Sequence, residues 1–347
     1  MEQKEVKPSI FITFSVDWEG ENFHNLNDFL LLRKRLGKEI PFTHYICPTY
    51  FLKNAKRAKR KVLSAIFPND EVALHIHCRR GLLKKAGIEK FITYPNFYRP
   101  FSPKVLKIKQ KLPTFLQQLL DLTVSGRGVP ISAYSDEDIR KIFTLSKQLL
   151  EDNLPNNKVV GFRCGGGFTN NSVYNILMEQ NFLYDSSAVP PEIFSHGFNF
   201  EYIGNKIDEH GDKNGIFTDY MIKLWGYQPQ EQLFLRNTFS LQATDGEAIH
   251  KTTQPFFVGS LLELPNNCGM SDFASSKTML SVLQEAYERV KNGDTTPFIL
   301  NTGCHQEGEP ELKFGLLDFF RSIPEEILPH IQFITNYEAA KFFLKPT

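Results

Sequence analysis

The chain has 347 residues, 41 % of them apolar and 13 % aromatic, and its 40 Lys and Arg nearly balance 39 Asp and Glu, for a formal charge of +1. That is ample material for a core and is not the composition of a disordered chain. The charge balance makes no case for a nucleic-acid partner, and no run reaches the ~18 consecutive apolar residues of a spanning helix.

The five cysteines (Cys47, Cys78, Cys164, Cys268, Cys304) are scattered and odd in number, which favours reduced thiols over a disulfide framework. The N-terminal apolar run is short and leads into acids, unlike a secretory signal. Both features point to a cytoplasmic protein.

In chain order, apolar runs predict strands at Ile10–Val16, Phe42–Cys47, Val72–His77, Val159–Cys164, Leu183–Ser186, Ser260–Leu264, Phe298–Thr302 and Ile331–Ile334. Helical periodicity is clearest at Asp136–Leu150, where Ile139, Ile142, Phe143, Leu149 and Leu150 share a face and Ser135 with Asp138 resembles a capping box. Ser172–Gln180, Ser276–Lys291, Pro310–Phe320 and Tyr337–Leu344 also read as helices. Two basic runs, Lys53–Lys61 and Lys104–Lys111, read most simply as solvated helix faces, or more sharply as patches for an anionic substrate or membrane surface. The alternation predicts an α/β fold, a parallel sheet with outer helices, open or closed into a barrel. Two stretches, 81–130 and 189–257, break the rhythm and are expected to be loop insertions on one barrel-like domain spanning 1–347.

In βα barrels the reactive groups gather at the C-terminal strand ends. Alternation puts Thr13, Ser15 and Asp17 on one face of the first strand, with Glu19 joining them if the chain stays extended. In "EVALHIHC" it turns Ala73, His75 and His77 inward. "VVGFRCGGG" turns Arg163 inward, "FILNTGCHQEG" puts Asn301 and His305 on one parity, and "LYDSS" supplies Asp185. The mouth is therefore expected to collect Asp17, Glu19, His75, His77, Arg163, Asp185 and His305. Two imidazoles and a carboxylate with an open position form the ligand set of a hydrolytic metal site, and a second carboxylate and His can serve as base and acid.

These segments, in this order, resemble the NodB-type polysaccharide deacetylases, a family of carbohydrate esterases. "SVDWEG" is similar to the family's first motif, "EVALHIH" to the second, "GFRCGGG" to the third, and "NTGCHQEG" to the last. "YNILMEQNFLYDSSAVP" and "LLELPNN" are similar to segments between them.

The resemblance implies a distorted (β/α) barrel of about seven strands and a divalent metal, most of all zinc. It implies removal of an N-acetyl group from a sugar or glycan precursor by metal-activated water. Carried over, His75 is a metal ligand, Asp17 one of the first-motif carboxylates, Arg163 the arginine that orients the base, and His305 the general acid. The usual second histidine position is Arg79, so the second imidazole moves to His77, as in family members reading "HLHP". The first motif aligns two ways: Asp17 as base with Glu19 as ligand, or Ser15 at the base position with Asp17 as ligand. Asp185 and Asn301 are expected to bind substrate. Cys78 replaces the proline of the "HLHP" variants and reads as a small buried thiol or, less simply, as a further ligand. Two other functions fit the same residues: a catalytically silent glycan-binding protein on this scaffold, and a metal amidohydrolase or esterase acting on a non-sugar.

Overall fold

The computed structural model describes residues 9–89 apart from 21, residues 113 and 131, residues 134–188 apart from 155–157, 166–168 and 170, and residues 254–344 apart from 272–273. Strands in chain order are β1 (Ile10–Trp18), β2 (Phe42–Ile46), β3 (Glu71–Ile76), β4 (Gly161–Cys164), β5 (Tyr184–Asp185), β6 (Phe256–Val258), β7 (Leu261–Glu263), β8 (Phe298–His305) and β9 (Ile331–Ile334). The described helices are α1 (Leu26–Leu36), α2 (Ala55–Leu63), α3 (Arg80–Lys85), α4 (Asp136–Asn153), α5 (Asn171–Glu179), α6 (Ser276–Lys291), α7 (Pro310–Arg321) and α8 (Asn336–Lys341). None of them is long and apolar enough to cross a membrane.

The strands form one sheet in the order β6-β7-β5-β4-β3-β2-β1-β8, with β9 added beside the start of β1. Every pairing is parallel except the β6–β7 hairpin. The sheet curls until the segment after β7 docks along β8. Cys268 N–H donates to Asn301 O at 3.0 Å and Ser271 N–H to Gly303 O at 2.7 Å. Asn267 bonds both the carbonyl of Ile299 (2.6 Å) and the N–H of Asn301 (2.8 Å). The result is the distorted (β/α) barrel that the motif resemblance implies, and of the open and closed forms left by the strand-helix alternation it is the closed one.

Alternation sorts the core. Ile10, Ile12, Phe14, Val16 and Trp18 of β1 pack against the helices, in one cluster with residues of α1, α4 and α7. Full burial of each such side chain contributes roughly 1.5–3 kcal/mol. Phe11 points the other way and, with Tyr45, Ala73, Tyr184, Leu262 and Ile299, fills the barrel floor. Above that floor the interior turns polar, through Thr13, Ser15 and Asp17. Helix starts follow capping chemistry. Ser135, Ser275 and Thr335 each accept from a backbone N–H three residues on, and Thr335 with Glu338 completes a capping box.

Several boundaries differ from the expected ones. β1 and β8 run on to Trp18 and His305, because their register continues through Asp17↔His305 after the apolar runs have ended. The stretches read as insertions contain regular structure at their edges: α3 opens the first, and β6, paired to β7, closes the second. Most of 90–133 and all of 189–253 lie outside the described residues, as does the basic run Lys104–Lys111. The other basic run, Lys53–Lys61, does lie largely on a helix, α2.

Candidate metal centre

β1 delivers the first carboxylates. Asp17 is the last inward residue of the strand, and Glu19 follows just beyond its end. The chain then turns at Gly20, whose φ of +77° lies in the left-handed region; a Cβ there would meet Thr49 Oγ1 at 1.9 Å. Thr49 Oγ1 donates to the Gly20 carbonyl at 2.8 Å, and Arg79 Nε donates to the Glu19 carbonyl at 3.0 Å. Glu19 is thus held over the mouth by its backbone rather than by an extended strand.

β3 delivers two imidazoles from one face. His75 Nδ1 lies 2.8 Å from the carbonyl of Arg163. A carbonyl only accepts, so Nδ1 carries the proton and Nε2 presents its lone pair to the mouth. There His75 Nε2 stands 3.1 Å from His77 Nε2. Glu19 closes the triangle, with Oε2 2.9 Å from His77 Nε2 and Oε1 3.6 Å from His75 Nε2. Among the described residues, Glu19, His75 and His77 form the one group of three or more such side chains whose ligand atoms all lie within 4.8 Å of one another. Bonds of about 2.1 Å to a tetrahedral ion set donor atoms about 3.4 Å apart, so these separations fit a small divalent metal.

The electrostatics fit as well. Burial pushes the Glu19 carboxyl up, but its close contacts with the His77 and His75 imidazoles outweigh it and hold Glu19 well below the usual range, ready to act as an anionic ligand. Burial depresses His77 more than Glu19 lifts it, which favours the neutral, ligating imidazole.

Asp17 lies outside that triangle. Its Oδ1 receives Arg163 Nη1 at 2.9 Å. Arg163 is itself fixed on every side: Nη1 also donates to Ser15 Oγ (2.8 Å), Nε to the carbonyl of Ser186 (3.0 Å) and Nη2 to Ser186 Oγ (3.0 Å), while its guanidinium lies 4.1 Å from the centre of the Tyr45 ring. Ser15 is fully buried and donates to the carbonyl of Thr302 at 3.1 Å. Of the two alignments, this geometry matches the one with Glu19 in the ligand group and Asp17 beside the arginine. His305, paired in register with Asp17, has the most open side chain of these groups at 23 % and sets Nε2 3.7 Å from Glu19 Oε1.

Two expected mouth residues lie elsewhere. Asp185 pairs in register with Phe162, which faces the helices, so Asp185 faces them too, fully buried. It accepts from Ser187 Oγ (2.6 Å) and Ser186 N–H (2.8 Å), beside Glu263 and Tyr174. Asn301 does face inward but sits below the mouth. It is fully buried, bonded to Thr13, Ser186, Leu264 and Asn267, with no surface left for a substrate. Cys78 belongs to the apolar core, where burial pushes its thiol up, and is not in the ligand group.

Sequence reasoning overlooked Tyr45 and Glu307. Glu307 accepts the N–H of Glu19 at 3.3 Å and bonds Tyr50 Oη. Burial and the Glu19 charge push its carboxyl up to about 7, against the lowering effect of the Tyr50 bond. The acid two residues after His305 was a visible signal; the tyrosine under Arg163 was not.

No protein-family model and no curated protein sequence matches the chain. Among solved structures it is similar to a protein described as a polysaccharide deacetylase from Mycobacterium smegmatis, at 11 % identity and a TM-score of 0.50, over 99 % of this chain and 92 % of that one. A protein from Pseudomonas aeruginosa described in the same way matches at 12 % identity and a TM-score of 0.47, over 97 % of this chain and 91 % of that one. At such identity the likeness to the first is one of fold, and the chain folds as a NodB-like distorted barrel.

Proposed function

We propose that the protein is a metal-dependent hydrolase that removes an N-acetyl group from a sugar or glycan. Glu19, His75 and His77 would hold the ion, and the two-imidazole, one-carboxylate donor set suits zinc. When bound, the ion supplies a Lewis acid for the acetamide carbonyl and makes a water more acidic. Asp17 accepts a proton from the attacking water, and Arg163 keeps that carboxylate aimed. The water oxygen bonds to the carbonyl carbon. As the C–N bond breaks, His305 gives a proton to the leaving nitrogen, and acetate and a free amine depart.

The observation that carries this reading is the Glu19–His75–His77 triangle lying beside an Asp17–Arg163 pair. The silent-protein alternative rests on Ser15 and Arg79 at positions where the family often has chemistry; an ion-paired Asp17 at the mouth and His77 in the ligand group support activity instead. The sugar as substrate draws on the fold likeness and on the motif resemblance. To test the reading, divalent metal is measured in purified protein, together with acetate release from N-acetylated oligosaccharides and from non-sugar acetamides. We expect close to one metal per chain, and release that stops on chelation and returns with zinc. Metal-free protein, or His75→Ala with metal and activity intact, would sink it.

A further inference from the structure

Residues 53–89 carry ten Lys and Arg against three acids, in a chain whose net charge is +1. Two of the three acids are engaged within the fold. Asp70 bonds Arg33 (2.8 Å) and His44 (3.0 Å), and Glu71 receives the Tyr184 hydroxyl at 2.6 Å. Helices α2 and α3 themselves contain no acid. On α4 and α6 several exposed basic residues find acids: Lys141 with Glu137 (2.6 Å), Arg140 with Glu179 (2.9 Å), Lys291 with Glu288 (2.9 Å) and Arg289 with Asp294, just past the end of α6 (2.6 Å). No described ion pair involves a basic residue of α2. Spacings such as Lys56–Arg60 and Arg57–Lys61 set like charges one turn apart, which works against the helix. Apart from Arg60 and Lys61, which suit the C-terminal turn of the helix, the pattern gives α2 no charge pairing of its own.

Both helices flank the mouth on the Glu19 side. The turn leading into α2 packs on the loop after Glu19 through Thr49 on Gly20 and Tyr50 on the carbonyl of Asn22 (3.0 Å). Lys61 Nζ stands 4.8 Å over the Phe23 ring of that loop. α3 starts directly after Arg79, which bonds the Glu19 carbonyl. A one-signed field beside a cleft raises the local concentration of ligands of the other sign. The apolar residues of α2, Ala58 and Val62, are buried in the core, and Leu63 is its one exposed large apolar side chain. That leaves no apolar stripe to enter a bilayer.

We propose that this flank binds an anionic glycan. Carboxylate or phosphate groups on sugars adjoining the acetamide lie along α2 and α3 while the acetamide enters the mouth. The proposal deepens the deacetylase reading and rests on it for the acetamide alone. The full chain is titrated by calorimetry with N-acetylheparosan oligosaccharides, which alternate glucuronate and N-acetylglucosamine, and with neutral N-acetylchitohexaose. Wild type is expected to bind the anionic oligomer at least about tenfold tighter at about 20 mM salt, and to lose that preference at about 300 mM as screening sets in. Lys56→Glu/Arg57→Glu/Arg60→Glu is expected to abolish the preference. Lys56→Gln/Arg57→Gln/Arg60→Gln replaces it if the reversal variant does not fold. Equal binding of the two oligomers, or a preference that survives the substitutions, overturns the proposal. So does α2-dependent binding to phosphatidylglycerol vesicles with no preference between the oligomers. Acetate release separates the two readings. Release from both oligomers without an anionic preference sinks only the glycan flank. No release from either, with α2-dependent binding intact, sinks only the deacetylase.

Discussion

The carbonyl of Arg163 lies 2.8 Å from His75 Nδ1, while the guanidinium of the same residue holds Asp17 at 2.9 Å. One residue thus fixes the tautomer of a proposed ligand through its backbone and the aim of the proposed base through its side chain. Substitution separates the two roles, because the carbonyl stays. We expect Arg163→Lys to keep zinc affinity within about threefold and to lower kcat roughly 100-fold, the size of a misplaced general base. Parallel titrations of zinc and of acetate release check this. Equal collapse of both would mean that the guanidinium supports the whole mouth.

The two carboxylates of "VDWEG" are separable in the same way. Bound zinc stabilises the folded chain by mass action, by roughly 2.7 kcal/mol at a hundred times its Kd. Glu19→Gln removes the anionic corner of the triangle, whereas Asp17→Asn leaves all three corners in place. We expect the zinc-dependent rise in thermal midpoint to shrink strongly in Glu19→Gln and to persist in Asp17→Asn, with activity lost in both. A rise lost in Asp17→Asn and kept in Glu19→Gln would swap their roles.

Strand parity made much of the site legible. Long strands with alternating faces, β1 and β3, place Asp17, His75 and their neighbours correctly from sequence, and the register of β1 with β8 brings in His305. Asp185 was misplaced because β5 has two residues and therefore no alternation to read. Its face is set by long-range pairing with β4, whose Phe162 points at the helices. Tyr45 escaped notice for a related reason: its part in the site is to lie under Arg163, 118 positions away, and β2 by itself reads only as an apolar strand.

The misplaced Asp185 yields a pH prediction. Burial pushes Asp185 up to about 6, and burial together with the charge of Asp185 pushes Glu263 well above the carboxylate range. In the unfolded chain both ionise near pH 4. The folded pair therefore keeps protons that the unfolded chain has released. Its stabilising contribution is complete below about pH 4 and is lost as pH rises through the folded values. Glu263→Gln keeps an acceptor for the Ala188 N–H, bonded at 2.8 Å, and removes one titration. Urea midpoints between about pH 5 and pH 8 should fall less steeply for Glu263→Gln than for wild type. Parallel slopes would show that Glu263 does not hold its proton in the fold as argued.

The tryptophan between the two acids leads to the last prediction. Trp18 points away from the mouth, into the helix layer, and its indole N–H donates to His44 Nδ1 at 3.1 Å. An indole cannot accept, so His44 carries its proton on Nε2 and gives it to Asp70 at 3.0 Å. Burial depresses His44, in keeping with this neutral form. Asp70 also receives Arg33 (2.8 Å) and the N–H groups of Phe42 (2.9 Å) and Phe67 (2.8 Å). Although burial raises the Asp70 carboxyl, His44 and Arg33 hold it below its ordinary value, so its contribution is present at neutral pH and is lost on acidification. The Arg33 side chain is wholly buried, and removing its counter-charge leaves an unpaired cation in the core. Asp70→Asn should therefore cost about 3–5 kcal/mol in urea unfolding. Trp18 anchors the end of β1 from which Asp17 and Glu19 project, so the folded fraction of this variant should also bind zinc more weakly. A cost below about 1 kcal/mol, the worth of one ordinary hydrogen bond, would mean that Asp70 does not anchor this network.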